Sequence, residues 1–247
     1  MASIIEVHNV SKSYGGVIAN KDISLTVEEG GITGLIGPNG SGKTTLFNSI
    51  VGYHPIDNGS IKFQDREISK MLVQDIARLG MLRTFQQTRI YGAMNCVENM
   101  LISLPHRRMK FMQAFERNTP EDYEKADRLL EFVGLYEKRY LRSGSLSFGQ
   151  QKLLEFAMAL MNEPAALLLD EPTAGINPTL INGLIDRLKR ANSEFGITLF
   201  VIEHNMRVIM NMADKVYCLA HGEMLASGSP AEVQNDQRVI DAYLGAH

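Results

Sequence analysis

Cysteine is scarce in this sequence. Cys96 and Cys218 stand far apart and share no metal-ligand spacing, which excludes a disulfide framework or a cysteine-built metal site and points to a reducing compartment. No apolar run approaches the roughly 18 residues that span a bilayer, and no export-signal pattern opens the chain. Any membrane role is therefore expected to come through a partner. Concentrated positive charge is missing as well: 25 Lys and Arg are spread along the chain against 28 Asp and Glu, a net charge of -3. A general nucleic-acid binder needs a concentrated basic face, so the charge argues against that class. The one basic cluster, His106-Arg107-Arg108 with Lys110, is either a solvated face or a patch that meets lipid head groups or an acidic partner, and no function is built on it. Internal repeats, low-complexity linkers and heptad runs are absent too. What remains is apolar enough for a full core, 45% over 247 residues, and suits one large α/β domain or a core with an appended subdomain.

The chain is organised around Gly37-Pro38-Asn39-Gly40-Ser41-Gly42-Lys43-Thr44-Thr45. Residues 32–36 ahead of it are short and mostly apolar, as in a buried parallel strand, and residues 45–51 behind it can run on as a helix. That is the context a phosphate-binding loop requires. Its three glycines let the backbone curl so that successive N–H groups point inward at a β-phosphate, and the helix N-terminus adds partial positive charge. Lys43 supplies a full charge to the β/γ oxygens, and the Thr44 hydroxyl is placed to ligate Mg²⁺.

Upstream, residues 4–10 and 23–27 alternate apolar and polar and predict antiparallel strands with one wet face. Between them Tyr14 sits at a turn, where it either stacks on an adenine ring or is an ordinary loop tyrosine. Residues 59–64 read as a half-buried strand and 71–79 as a helix stopped by Gly80. Gln86 follows a short apolar segment and means nothing by itself. From about residue 97 to 140 the pattern turns helical. Its best-marked helix has Thr119 as cap, Pro120 in the first turn, Glu121 and Asp122 at the positive end and Gly134 at the exit. Tyr123, Ala126, Leu129, Leu130 and Val133 form its core-facing stripe.

Leu146-Ser147-Phe148-Gly149-Gln150-Gln151 then leads into a helix that must end before Pro164, with Ser147 as its N-cap. A helix N-terminus preceded by Ser and Gly is also a second anion site. Residues 165–169 predict a buried strand ending in Asp170-Glu171. Adjacent carboxylates there are costly unless paired or put to use. The functional reading sets Asp170 across from Thr44, holding Mg²⁺ through water, with Glu171 polarising an attacking water; the alternative is a structural ion pair. Asn177 and Pro178 open a helix with Leu180, Ile181, Leu184, Ile185 and Leu188 on its core face. Residues 198–202 predict a further strand ending in Glu203-His204, where His204 can donate to a γ-phosphate. A hairpin over residues 216–226 and a polar, partly helical tail complete the chain.

The order of these motifs carries a resemblance. With the phosphate loop first, Gln86 between, Leu146-Ser147-Phe148-Gly149-Gln150 ahead of Asp170-Glu171, and His204 beyond, the chain resembles an ATP-binding cassette (ABC) ATPase over nearly its full length. In that family the signature helix of one subunit closes over ATP held by the phosphate loop of another. The resemblance implies an α/β fold: a P-loop NTPase core, mostly parallel sheet flanked by helices, with an N-terminal antiparallel β subdomain, over residues 1–85 and 160–247. A helical subdomain over 88–158 would carry the signature. It implies ATP and Mg²⁺, with Tyr14 as the adenine-stacking aromatic and Gly37 to Thr45 around the phosphates. Thr44, Asp170 and Gln86 would serve the metal, and Gln86 would also couple the metal and water site to the membrane partner. Ser147, Gly149 and Gln150 would reach the γ-phosphate in trans, Glu171 would be the general base and His204 the switch histidine. Two departures stand out. Phe148 replaces the second signature glycine, and residues 174–177 lack the acidic residue usual in the dimer-contact loop.

Arg83-Thr84-Phe85-Gln86, Ala174-Gly175-Ile176-Asn177-Pro178, Glu203-His204-Asn205-Met206 and Ala242-Tyr243-Leu244-Gly245 are together similar to the ATPase subunits of branched-chain (hydrophobic) amino acid importers. Urea importers and lipid or lipopolysaccharide exporters share parts of this set. The resemblance implies transmembrane permease subunits, a second ABC ATPase of the same or a different kind, and indirectly a solute-binding protein as partners, with no nucleic acid. It also implies a peripheral place on the cytoplasmic side of the inner or plasma membrane. A soluble ABC protein acting on nucleic acid or ribosomes would be expected to carry tandem cassettes, coiled-coil inserts or basic extensions, which this chain lacks.

Overall fold

Short runs of β-branched and apolar residues, cut by glycine turns, fold here as strands. The computed structural model describes residues 2–84, 90–104 and 118–244. Its strands are β1 (Ser3–Tyr14), β2 (Val17–Glu28), β3 (Ile32–Ile36), β4 (Asn58–Phe63), β5 (Arg66–Glu67), β6 (Met81–Arg83), β7 (Ala166–Asp170), β8 (Thr198–Ile202), β9 (Lys215–Ala220) and β10 (Glu223–Gly228). Its α-helices are α1 (Lys43–Ile50), α2 (Val73–Arg78), α3 (Cys96–Ile102), α4 (Pro120–Phe132), α5 (Phe148–Leu160), α6 (Pro178–Phe195), α7 (Met206–Met212), α8 (Pro230–Gln234) and α9 (Gln237–Leu244). Two compact units result. One holds Met1–Arg83, Ala165–Pro172 and Leu188–His247; the other holds Thr84–Pro164 and Thr173–Arg187.

The first unit contains two sheets. The antiparallel sheet runs β2-β1-β4-β5, with Glu6 opposite Thr26 and Val7 opposite Leu25. Ile5, Val7, Leu25 and Val27 are buried while Glu6 and Thr26 remain partly accessible, the alternation expected of a sheet with one wet face. The second sheet runs β10-β9-β3-β8-β7-β6. It is parallel except for the hairpin partner β10. β3, β7 and β8 are buried at every position, which is why they read as mostly apolar runs without alternation. Phe47 of α1 meets Phe200 of β8 with ring centroids 4.7 Å apart, and burying such a side chain contributes about 1.5–3 kcal/mol. Leu35 and Asp170 both pair in register with Ile202. The carboxyl ends of β3, β7 and β8 therefore lie side by side, and a parallel open sheet binds its ligands at that edge.

The second unit is helical, and three of its helices are closed at their N-termini by reciprocal side-chain bonds. Asn95 with Glu98 caps α3, Thr119 with Asp122 caps α4, and Ser147 with Gln150 caps α5. Ala126, Leu129, Leu130 and Val133 are buried as expected. Tyr123 is not; it is 47% exposed. At 3.6 residues per turn it lies about 70° from the centre of that stripe, in the helix's first turns. Leu180, also assigned to a core face, is 52% exposed for the same reason, at the margin of the stripe formed by Leu184, Ile185 and Leu188. α7 has no counterpart in the sequence reading; only seven residues long, it leaves no room for a periodic pattern. Among the described residues no helix is long and apolar enough to cross a membrane.

Candidate functional site

Between β3 and α1 the chain curls tightly, and two glycines make this possible. Gly37 has φ +147°, and a Cβ there would lie 2.1 Å from the Leu219 carbonyl oxygen. Gly42 has φ +99°, and its Cβ would lie 2.4 Å from the Ala19 carbonyl oxygen. Any other residue would have to displace backbone. Gly42 is the N-cap of α1 and supplies no side-chain cap, so the first N–H groups of this helix are left to meet an anion. Asn39, Gly40 and Thr44 are exposed, and Pro38 and Thr45 partly so. Ser41 is buried, with its N–H donating to Pro38 O at 3.2 Å. Lys43 is 6% exposed. Its Nζ donates to Gly37 O at 2.8 Å and Pro38 O at 3.0 Å. Burial pushes the Lys43 pKa down, opposed by the negative charge of Glu171 and Asp170 nearby. The ammonium thus rests on loop carbonyls that an incoming phosphate oxygen can replace.

Two residues outside the motif hold the loop, and sequence reasoning assigned neither a role. The Asn20 amide donates to Gly42 O at 3.1 Å. The Tyr243 hydroxyl accepts the Gly37 N–H at 2.8 Å. No local signal marks Asn20. Tyr243 belongs to the tail similar to importer ATPases, but its reach to the loop is visible only in the fold.

The β7 and β8 ends bring the remaining polar groups to the same edge. Asp170 is buried, and its Oδ2 pairs with Arg83 Nη2 at 2.6 Å. Arg83, from the end of β6, also donates to the Asn48 side chain and lies over the Phe47 ring. A carboxylate this buried needs a partner, and Arg83 is a third residue given no role by sequence reasoning: its position beside β7 is a consequence of sheet order. Glu171 adopts φ +48°, a left-handed conformation that non-glycine residues seldom take and that clusters at functional sites. Its N–H donates to Ile202 O at 3.0 Å, and its Oε1 lies 3.7 Å from His204 Nδ1. Lys43, Asp170, Glu171 and His204 therefore share one edge of one unit. Gln86 falls outside the described residues.

Tyr14 is the last residue of β1, opposite Val17 of β2, and its ring stays 48% exposed. The His54 ring meets it edge-on, with centroids 5.5 Å apart. Asp57 braces the strand end, accepting from Lys12 Nζ at 2.9 Å and from both the N–H and the hydroxyl of Ser13 at 2.6 Å. These bonds, that of the Ser13 hydroxyl first, hold the Asp57 carboxyl down at about 2.

In the helical unit, the Ser147 hydroxyl accepts the Gln150 N–H at 3.4 Å, and the Gln150 side chain accepts the Ser147 N–H at 3.1 Å. The hydroxyl keeps its proton for a second partner. Gly149 lies beside Leu180, where a Cβ would come 3.5 Å from Leu180 Cδ1. Phe148 packs against Gly175, where a Cβ would come 2.9 Å from its ring. The two departures from the family pattern thus touch each other.

Known proteins are similar to nearly the whole chain. The profile of the family described as ABC transporter matches residues 20–174, and that described as branched-chain amino acid ATP-binding cassette transporter matches residues 223–247. The sequence is 38% identical over 250 residues to the high-affinity branched-chain amino acid transport ATP-binding protein BraF of Pseudomonas aeruginosa, covering 98% of each chain. It is 35% identical, again over 98% of each, to the corresponding LivG protein of Salmonella typhimurium. The fold superposes on a solved ATP-binding cassette of an ABC transporter in its ADP conformation with a TM-score of 0.89, 32% identity and coverage of 99% of this chain and 100% of that one. A dimeric cassette in a post-hydrolysis state, bound to ADP and Pi, gives a TM-score of 0.76 at 25% identity, covering 92% and 98%.

Proposed function

The chain belongs to the ABC transporter family, and from that premise we propose that it is the ATP-hydrolysing subunit of an importer of branched-chain or other hydrophobic amino acids. The observation that carries the chemistry is the meeting of the phosphate-loop lysine with Asp170, Glu171 and His204 at one sheet edge. The solute class is supported by the similarity of residues 223–247 and of full-length relatives to branched-chain amino acid transport ATPases.

The reaction is phosphoryl transfer to water. The loop N–H groups and Lys43 bind the β- and γ-phosphates, and Tyr14 offers a ring face to the adenine. Glu171 takes a proton from the attacking water as its oxygen bonds to the γ-phosphorus. The bond from that phosphorus to the β–γ bridging oxygen breaks, and ADP and phosphate leave. His204 donates to the γ-phosphate and senses its departure. Mg²⁺ suits the donors present, a hydroxyl and a carboxylate whose hard oxygens belong to the edge that receives the phosphates. The Thr44 hydroxyl, Gln86 and, through water, Asp170, whose Oδ2 also pairs with Arg83, would hold the ion. Such an ion would neutralise charge on the phosphate oxygens when bound. Ser147, Gly149 and Gln150 complete the site of a second ATPase subunit in trans. ATP binding closes that pair, and hydrolysis reopens it against permease subunits fed by a solute-binding protein, at the cytoplasmic face of the membrane. Gln86 would couple the water site to those subunits.

The test is a detergent-extracted affinity purification of the Glu171→Gln chain held with ATP, followed by mass spectrometry. Polytopic membrane proteins are expected, and a second, different ATPase among them would identify a heterodimeric importer. Recovery of ribosomal or nucleic-acid-associated proteins alone would overturn the transport reading. Membrane subunits that export lipid or lipopolysaccharide would overturn the direction.

A further inference from the structure

The phosphate loop is fastened at both ends by side chains from outside its motif, and the two fastenings differ. Asn20, at the Gly42 end, comes from the strand next to the loop. Tyr243, at the Gly37 end, comes from α9, near the other end of the chain. Gly37 is held on three sides. Its N–H donates to the Tyr243 hydroxyl at 2.8 Å, its α-carbon faces the Leu219 carbonyl with no room for a Cβ, and its carbonyl accepts Lys43 Nζ at 2.8 Å. The phenol and the anchor of the phosphate-binding lysine therefore meet on the same residue, on its N–H and its carbonyl. Gly37 is buried, and among the described residues Tyr243 is the group that meets its N–H. A buried N–H without a partner is costly, so the loop entry without the phenol would relax toward another arrangement. Burial raises the phenol to about 12, which keeps it protonated throughout any physiological pH.

We propose that Tyr243 is a positioning residue for nucleotide: its hydroxyl fixes the entry peptide of the phosphate loop, and through it the Lys43 ammonium, in the curl that accepts a β-phosphate. The C-terminal helix thereby becomes part of the nucleotide site. This rests on the ATPase reading given above.

The test compares the full chain with Tyr243→Phe, which keeps the ring and removes the hydroxyl, and with Leu244→Ala on the next, exposed residue as control. ATP and ADP binding are measured by titration calorimetry. The melting temperature is read without nucleotide and again with it, and KM and kcat are read on the assembled transporter. Loss of one buried hydrogen bond at the loop should weaken both nucleotides about tenfold and raise KM likewise, with kcat within about twofold. The nucleotide-induced rise in melting temperature should shrink, while Leu244→Ala behaves as the parent chain. A lower melting temperature with unchanged ATP and ADP affinity would make Tyr243 merely structural and overturn the inference. So would a fall in kcat at constant KM. If the parent chain bound neither nucleotide, the ATPase reading would fall and take this inference with it; if the parent bound and the variant matched it, the inference alone would fall.

Discussion

Glu171→Gln is expected to retain ATP affinity within about threefold and to lower steady-state turnover by about 10²–10⁴-fold, the range that a positioned general base supplies. The substitution keeps the shape of the side chain and its reach toward His204, but an amide cannot take the proton of the attacking water. Glu171 sits immediately beyond the strand β7, in a left-handed backbone conformation with its N–H bound to Ile202 O. These backbone constraints survive the change. The Oε1–Nδ1 separation from His204 is 3.7 Å, and the histidine side chain is largely exposed. An ion pair of that kind contributes little to stability, so the variant should fold normally. Phosphate release and equilibrium ATP binding, measured on the same preparation, separate the two effects. Undiminished turnover would remove Glu171 from the role of base.

Lys43→Ala is expected to act on the other side of the reaction, on affinity. A charge-assisted hydrogen bond contributes about 1.5–3 kcal/mol, so losing the ammonium should weaken ATP and ADP binding by about 10- to 100-fold. The effect on the nucleotide-free chain should be small or reversed. Lys43 is buried against two loop carbonyls, and burial lowers its pKa. The folded chain therefore gives up this proton more readily than the unfolded chain. Near neutral pH the buried charge costs stability, and that cost fades as pH rises from the folded pKa toward the unfolded one. Removing the lysine should leave the nucleotide-free melting temperature unchanged or slightly higher at pH 7, with the difference shrinking at alkaline pH. Intact nucleotide binding by the variant would contradict the reading of the loop.

How much of this was legible in the sequence follows from the range of the interactions involved. The strand, loop and helix around Lys43 are local, and glycine spacing with an apolar run on either side states them directly. The caps at Thr119 and Ser147 are equally local, each closed within four residues. β7 and β8 were legible because a strand covered on both faces has no polar positions to interrupt it. Tyr123 and Leu180 were misassigned because periodicity gives a direction on the helix but not the width of the face that is covered. Arg83 and Tyr243 were beyond reach for a different reason. Arg83 meets Asp170 only because β6 adds to the sheet next to β7, and Tyr243 meets Gly37 across most of the chain's length. Nothing in local composition encodes sheet order or the path of a tail. The roles given to Ser147, Gly149 and Gln150 rest on a second subunit and remain proposals, as does the role of Gln86.

The most direct test of ATP turnover coupled to amino acid movement is transport itself. Proteoliposomes would carry this chain with its co-purified membrane subunits and solute-binding protein, and radiolabelled leucine would be followed across the membrane. The expected result is movement that requires ATP on the side facing this chain and disappears with Glu171→Gln. Sustained ATP hydrolysis by the assembled complex with no movement of leucine, isoleucine or valine would contradict it.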